Sequence, residues 1–236
     1  MFGYFFDSTY LLMVLVPGLL MSGIASLMVR SAFSMYSKEP TQRGLSGAQA
    51  AQLLLQNAGI YDVQIERAQG FLSDHYNPVT RTLALSDNVY DSNSVAAIGV
   101  ACHEAGHAIQ HADNYGPLWL RSSLVPVVGF GSTASEVLLM LGFILQAKPL
   151  LLAGVIAFGT IVLFQLVTLP VEFDASARAK RLCLEYGIVT NSEYTGVSRV
   201  LNAAALTYVA AFASSLLTLL YYLIKLGLIG GNRNEE

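Results

Sequence analysis

Charge is scarce in this chain. Only 12% of its 236 residues are Asp, Glu, Lys or Arg, against 54% hydrophobic, a balance too apolar for an ordinary soluble protein of this length. The 13 basic and 16 acidic residues leave a formal net charge of −3 and form no block of one sign. Neither nucleic-acid binding nor an acidic interaction tail is therefore supported. Cysteine is nearly missing as well: Cys102 and Cys183 stand far apart, without a C-x-x-C spacing. That argues against a disulfide framework and for two reduced, buried thiols. Cys102 directly precedes a histidine, but on a helix it points about 100° away from it, so packing is the reading for this thiol. There is no internal repeat and no low-complexity tract. Histidine is rare, with 4 in the whole chain.

Long apolar runs are what the sequence has instead. Four of them, residues 10–29, 124–147, 150–169 and 203–224, reach the roughly 20 residues needed to cross a bilayer core of about 30 Å. The second and third are separated only by the Lys148-Pro149 break. No basic stretch precedes the first and no cleavage-like site follows it, so it reads as an anchor and not as a secretory signal. Arg30, Lys38, Arg43, Arg67, Arg81 and Arg121 fall between spans one and two, and Arg178, Lys180, Arg181 and Arg199 between spans three and four. The opposite side holds Lys148, Lys225 and Arg233. The basic excess places both rich segments in the cytoplasm and both chain ends outside. Glu136 lies inside the second span, where a carboxylate is costly; protonation or pairing beside Thr133 and Ser135 is the plain reading.

Residues 30–117 read as a small domain outside the lipid. Ser46 and Gln49 make a capping box for a helix that Gly59 stops. Residues 61–66 and 81–86 alternate as short strands, the second after a turn at Asn77-Pro78. A second helix starts near Ser92 or Ser94, runs through VAAIGVACHEAGHAIQHA and ends before Asn114. The expected organisation is an anchor over 1–29, a domain over 30–117, a membrane hairpin over 118–169, a helical segment over 170–202, and a last span with its tail over 203–236.

The chemistry sits in His103-Glu104-Ala105-Gly106-His107, an H-E-x-x-H pattern on that second helix. Residues four apart share one helix face, so His103 and His107 can both reach one Zn²⁺ at bond lengths of about 2.0–2.1 Å. Glu104 lies about 100° round the helix, placed to take a proton from water beside the metal without binding the metal itself. A catalytic zinc needs a third protein ligand. His111 is on the same face but about 12 Å along the helix from His103. Asp113 has the metzincin offset, yet Gln110 stands where that arrangement needs a glycine. Glu172, in LPVEFDASARA after the third span, is the other candidate, with Pro170 suited to a helix start or kink.

HEAGH, two spans and then EFDASARA, with SDHYNPVTRTLALS ahead of the zinc helix, resembles the neutral zinc metallopeptidases of the bacterial YugP type. More distantly the chain resembles the membrane HtpX and CAAX-prenyl peptidases. In those distant relatives a Glu-x-x-Ala-Asp pattern supplies the third ligand and a supporting Asp. The resemblance thus implies Glu172 as ligand, matches Ala175, and finds Ser176 where the Asp would stand. The partner of the ligands stays open, because Asp174 lies about 200° round a helix from Glu172.

The resulting expectation is an α+β zincin-like catalytic domain fused to four transmembrane helices, holding one Zn²⁺ per chain. It hydrolyses peptide or protein substrates, membrane proteins among them, at the cytoplasmic face of the bilayer. His75, Tyr76 and Tyr208 are candidate donors to an oxyanion, and Leu83, Ala84 and Leu85 a candidate edge for an extended substrate. Two rivals are a site-2-type intramembrane protease and a zinc-binding transporter or scaffold. The first lacks its Asp-Gly ligand motif here, and the second places ligands near the middle of spans. Reporter fusions test the orientation: junctions after Glu66 and after Arg181 are expected to report cytoplasm, and a junction at Lys148 the outside.

Overall fold

The structure, a computed structural model, describes residues 7–70 and 73–229. In chain order come α1 (Ser8–Tyr36, with a π-helical turn at Leu11–Leu15), α2 (Gly47–Asn57), β1 (Gln64–Ala68), β2 (His75–Asn77), β3 (Thr82–Ser86), α3 (Asp87–Tyr90), α4 (Val95–Ala112), α5 (Gly116–Ile144), α6 (Lys148–Glu185) and α7 (Asn191–Lys225). The protein is mostly helical with one small sheet. Local signals explain the helix ends. Ser46 and Gln49 close a reciprocal capping box on α2, and Gly59 follows that helix at φ +75°, where a Cβ is disfavoured. Ser94 Oγ accepts from Ala97 N at the start of α4, and Asn114 adopts φ +54° just past its end.

Four helices, Ser8–Tyr36, Gly116–Ile144, Lys148–Glu185 and Asn191–Lys225, are long and apolar enough to cross a membrane. The residues between α5 and α6 turn with Gln146 at φ +52°, so α6 begins at Lys148. Pro170 neither starts nor ends a helix: α6 runs through it.

The chain divides into two units. One takes the described parts of Met1–Ile24, Leu120–Leu169 and Tyr208–Glu236. Here α5 and α6 meet through glycine: a Cβ on Gly142 or Gly154 would come within 2.8 Å of Leu151 or Leu139, and such small residues let helices close in lipid. Leu19, Phe130, Ile156 and Leu163 are exposed, the surface expected of helices facing hydrocarbon. Asp7 pairs with Lys225 and accepts from Tyr221 Oη at 3.1 Å. Glu136 is exposed on α5 and makes no ion pair among the described residues.

The other unit takes Ala25–Trp119 and Pro170–Thr207. At its centre α4 is buried on nearly every side, its Ala and Gly residues giving room to its neighbours. A Cβ on Gly99 would meet Val197 of α7 at 3.4 Å. Cys102 and Cys183 come together in this core as free thiols. Burial, aided by the hydrogen bond with Cys102, pushes the Cys183 thiol well up, so it stays neutral.

The sheet order is β1-β3-β2, with β1 parallel and β2 antiparallel to β3. The first strand begins later than its alternation predicts, because the ladder starts where Gln64 N donates to Arg81 O. The three-residue strand β2 was not expected from sequence. It exists because Asn77 Oδ1 accepts from Val79 N and Thr80 N, tightening the turn that folds the chain back onto β3. That fold-back corrects one expectation. Leu83 and Ala84 are not an open edge: Leu83 lies between Ile65 and Tyr76 and Ala84 between Glu66 and His75, whereas Leu85 pairs with Arg67 alone. Apolar alternation reports burial and cannot tell a central strand from an edge. Ala84→Pro removes a donor from this central strand and is expected to cost about 2 kcal/mol or more. Lowered Tm or lost expression checks this, with a substitution of exposed Val79 as the neutral control.

Candidate metal centre

Three donors converge in the second unit. His103 and His107 sit one turn apart on α4 with ring centroids 4.8 Å apart and planes at 79°. Glu172 of α6 places Oε2 3.2 Å from His103 Nε2 and 3.6 Å from His107 Nε2. The ligand atoms of the three residues all lie within 4.8 Å of one another. Ligands about 2.1 Å from a tetrahedral ion stand about 3.4 Å apart, and the two separations between Glu172 and the histidines are close to that. Glu172 is only 2% exposed, and a carboxylate that deep costs several kcal/mol unless positive charge compensates it.

The electrostatics agree. Burial works to raise the Glu172 carboxyl, but hydrogen bonds from His103 and His107 outweigh it and hold the group below the usual carboxylate range. Burial likewise opposes charge on His107, yet Glu172 and the nearby Glu104 raise its pKa. The site thus attracts positive charge, whether carried by protons or by a metal. Two imidazole nitrogens and one carboxylate oxygen are a zinc donor set, and these residues fit that ion in donor type and spacing.

Behind each imidazole stands a partner. Ser176 Oγ is 3.1 Å from His103 Nδ1, so the serine standing where the distant resemblance expects Asp contacts that ring. Gln110 Oε1 is 3.0 Å from His107 Nδ1. The amide nitrogen of Gln110 donates to Val171 O and to Asp174 Oδ2, both at 2.8 Å. Arg178 Nε donates to the same Asp174 oxygen at 2.6 Å and its guanidinium also pairs with Asp113. Asp174 therefore reaches the His107 ring through Gln110. Of this group, the contact of Gln110 with His107 escaped the sequence reading, although three residues on a helix is a contact spacing. The roles of Asp174 and Arg178 carry no local signal.

The rival third ligands are engaged elsewhere. Asp113 pairs with Arg178. His111 Nδ1 is 2.8 Å from Tyr76 Oη, and its ring packs edge-on against Trp119. Burial, with Arg81 adding to it, lowers the pKa of His111. Glu104 is 8% exposed and forms no hydrogen bond or ion pair among the described residues. Among those residues no fully buried side-chain oxygen lacks a partner, so the Glu104 carboxylate keeps contact with solvent. His75 is exposed on β2 with Nδ1 2.9 Å from Ser73 O, and Tyr76 on the same strand directs its hydroxyl to His111. Tyr208 is half-buried on α7 and falls in the first unit.

Comparison with known proteins comes to the same chemistry. The family model described as "Putative neutral zinc metallopeptidase" matches residues 10–227. The "Putative membrane protease YugP" of Bacillus subtilis (strain 168) is 46% identical over 200 residues, covering 85% of this chain and 89% of that protein. No solved structure matches the chain.

The centre depends on a close approach of α4 and α6. A Cβ on Gly106 would stand 2.7 Å from the backbone oxygen of Ala175, three residues after Glu172. Gly106→Ala gains about 1 kcal/mol of helix propensity but forces a backbone shift costing about 1–3 kcal/mol. The expected net result is lower Tm and reduced zinc content, measured by elemental analysis. Gly129→Ala, where a Cβ meets nothing within 4 Å, serves as the control.

Proposed function

The chain belongs to the neutral zinc metallopeptidase family, and from that premise we propose that it is a membrane-embedded metalloendopeptidase. His103, His107 and Glu172 hold one zinc ion per chain, and Glu104 is the general base. The observation carrying this reading is the spacing of the three donors beside a buried, unpaired carboxylate that still meets solvent. When bound there, zinc supplies Lewis acidity, polarising a carbonyl and making nearby water acidic.

The side chains do the rest. Glu104 takes a proton from water and returns it to the leaving amine. Ser176 and Gln110 hold the imidazole rings in place. An extended substrate chain has the open edges of β1 and β2 to pair with, not the stretch Thr82–Ala84 of β3, which is paired on both sides. His75, Tyr76 and Tyr208 remain the candidate donors to an oxyanion. An H-E-x-x-H helix beside a small sheet supports a zincin-like α+β arrangement for this unit.

Four apolar helices support a multi-pass membrane protein, and the placement of Lys and Arg supports a cytoplasmic active site. All three donors belong to the unit of Ala25–Trp119 and Pro170–Thr207. That favours cleavage outside the lipid over a site-2-type intramembrane reaction, and it also disfavours a transporter with ligands at mid-span.

Metal content and proteolysis of a labelled unfolded protein separate the roles. Glu104→Gln is expected to keep about one zinc per chain and lose roughly 10²–10⁴-fold in rate. His103→Ala and His107→Ala are expected to lose the metal. Glu172→Ala should weaken zinc binding far more than His111→Ala or Asp113→Ala. Undiminished cleavage by Glu104→Gln overturns the mechanism. Full zinc retention in Glu172→Ala, with loss in Asp113→Ala, reassigns the third ligand.

A further inference from the structure

The two ends of a glutamine amide differ chemically: the nitrogen only donates and the oxygen only accepts. At Gln110, which is wholly buried, the surroundings decide which end points where. Its nitrogen faces the Val171 carbonyl and an Asp174 oxygen that also receives the Arg178 Nε–H. Both are acceptors, and that Asp174 oxygen takes two donors, so the nitrogen end belongs there. The oxygen end is thereby turned to His107 Nδ1 at 3.0 Å, and an oxygen there requires a proton on Nδ1. Nε2, the nitrogen facing Glu172, is left to offer its lone pair to a metal.

The geometry points to Gln110 as a positioning residue that sets the tautomer of His107, itself oriented by the Arg178–Asp174 pair. The inference rests on the zinc reading of the site. His103 has no equivalent lock, because the Ser176 hydroxyl can either donate or accept. The pair Arg178–Asp174 reaches Asp113 at the C-cap of α4, so the lock ties the end of the ligand helix to α6. The alternative is that Gln110 merely fills space.

Two substitutions rank oppositely under the two views. Gln110→Met keeps the volume and removes both polar ends. Gln110→Glu keeps an oxygen toward His107, and its acid proton can serve Asp174 in place of the amide. Zinc affinity is measured on the full chain in detergent by competition with a chromophoric chelator, alongside Tm of the metal-free protein. A positioning role predicts that Gln110→Met loses about tenfold or more in affinity, and that Gln110→Glu stays closer to wild type. Gln110→Met binding zinc as wild type does, with Gln110→Glu the worse of the two, overturns the proposal. Zinc-loaded wild type gives a readout independent of variant folding, through the ¹⁵N signals of the imidazoles. A proton on His107 Nδ1 with Nε2 on the metal supports the lock, and the reverse overturns it. A wild type that binds no zinc overturns the metal reading itself, whereas equal binding by wild type and Gln110→Met overturns the lock alone.

Discussion

The approach of α4 to α6 at Gly106 and Ala175 is the contact on which the cluster of His103, His107 and Glu172 depends. An H-E-x-x-H helix brings two imidazoles and a base to one place by its own periodicity. It cannot supply the third donor. Glu172 comes from a helix 69 residues after His103, and it reaches the histidines only because no Cβ stands between α4 and the Ala175 backbone. The same stretch of α6 delivers Val171, Asp174, Ser176 and Arg178. One close helix crossing thus brings in the third donor together with most of the groups that hold the imidazoles.

Burying so many polar groups at that crossing is costly unless each finds a partner. Here the cost is met by connection. Gln110 and Glu172 are among the largest wholly or nearly wholly buried side chains, and both are bonded on more than one side. Low dielectric strengthens such a network when it is complete and penalises any gap in it. A rigid set of donors follows, as a metal site requires. Glu104 differs from its neighbours: among the described residues no hydrogen bond or ion pair ties down its carboxylate.

The scarce charge of the chain is spent unevenly. In the unit holding the site, Arg67 pairs with Asp91, Arg81 with Asp62, and Arg178 with Asp174 and Asp113. In the apolar unit Asp7 pairs with Lys225. Exposed pairs such as Arg67–Asp91 contribute little stability; the half-buried Arg178 cluster matters because it holds Gln110, which contacts His107.

Much of this was legible in the residues alone, and the boundary between legible and hidden is a boundary of range. Capping boxes, positive-φ stops, apolar spans and the His103–His107 pair are all set by neighbours within about one helical turn, so Ser46, Ser94, Gly59 and HEAGH could be read directly. Resemblance to a family, not periodicity, pointed to Glu172, because nothing local ties it to α4. The sheet was half legible: the apolar run of β3 showed that it is buried, but its central place depends on β2, a strand of three residues made by a turn. Gln110 shows the limit most clearly. Its spacing puts it beside His107, yet which end of its amide faces the ring is decided by Val171, Asp174 and Arg178 on another helix. Short-range periodicity paired the histidines on α4; only the packing of α6 against it could bring Glu172 to them and orient Gln110, since hydrogen-bond direction belongs to pairs of groups and not to a position in the chain.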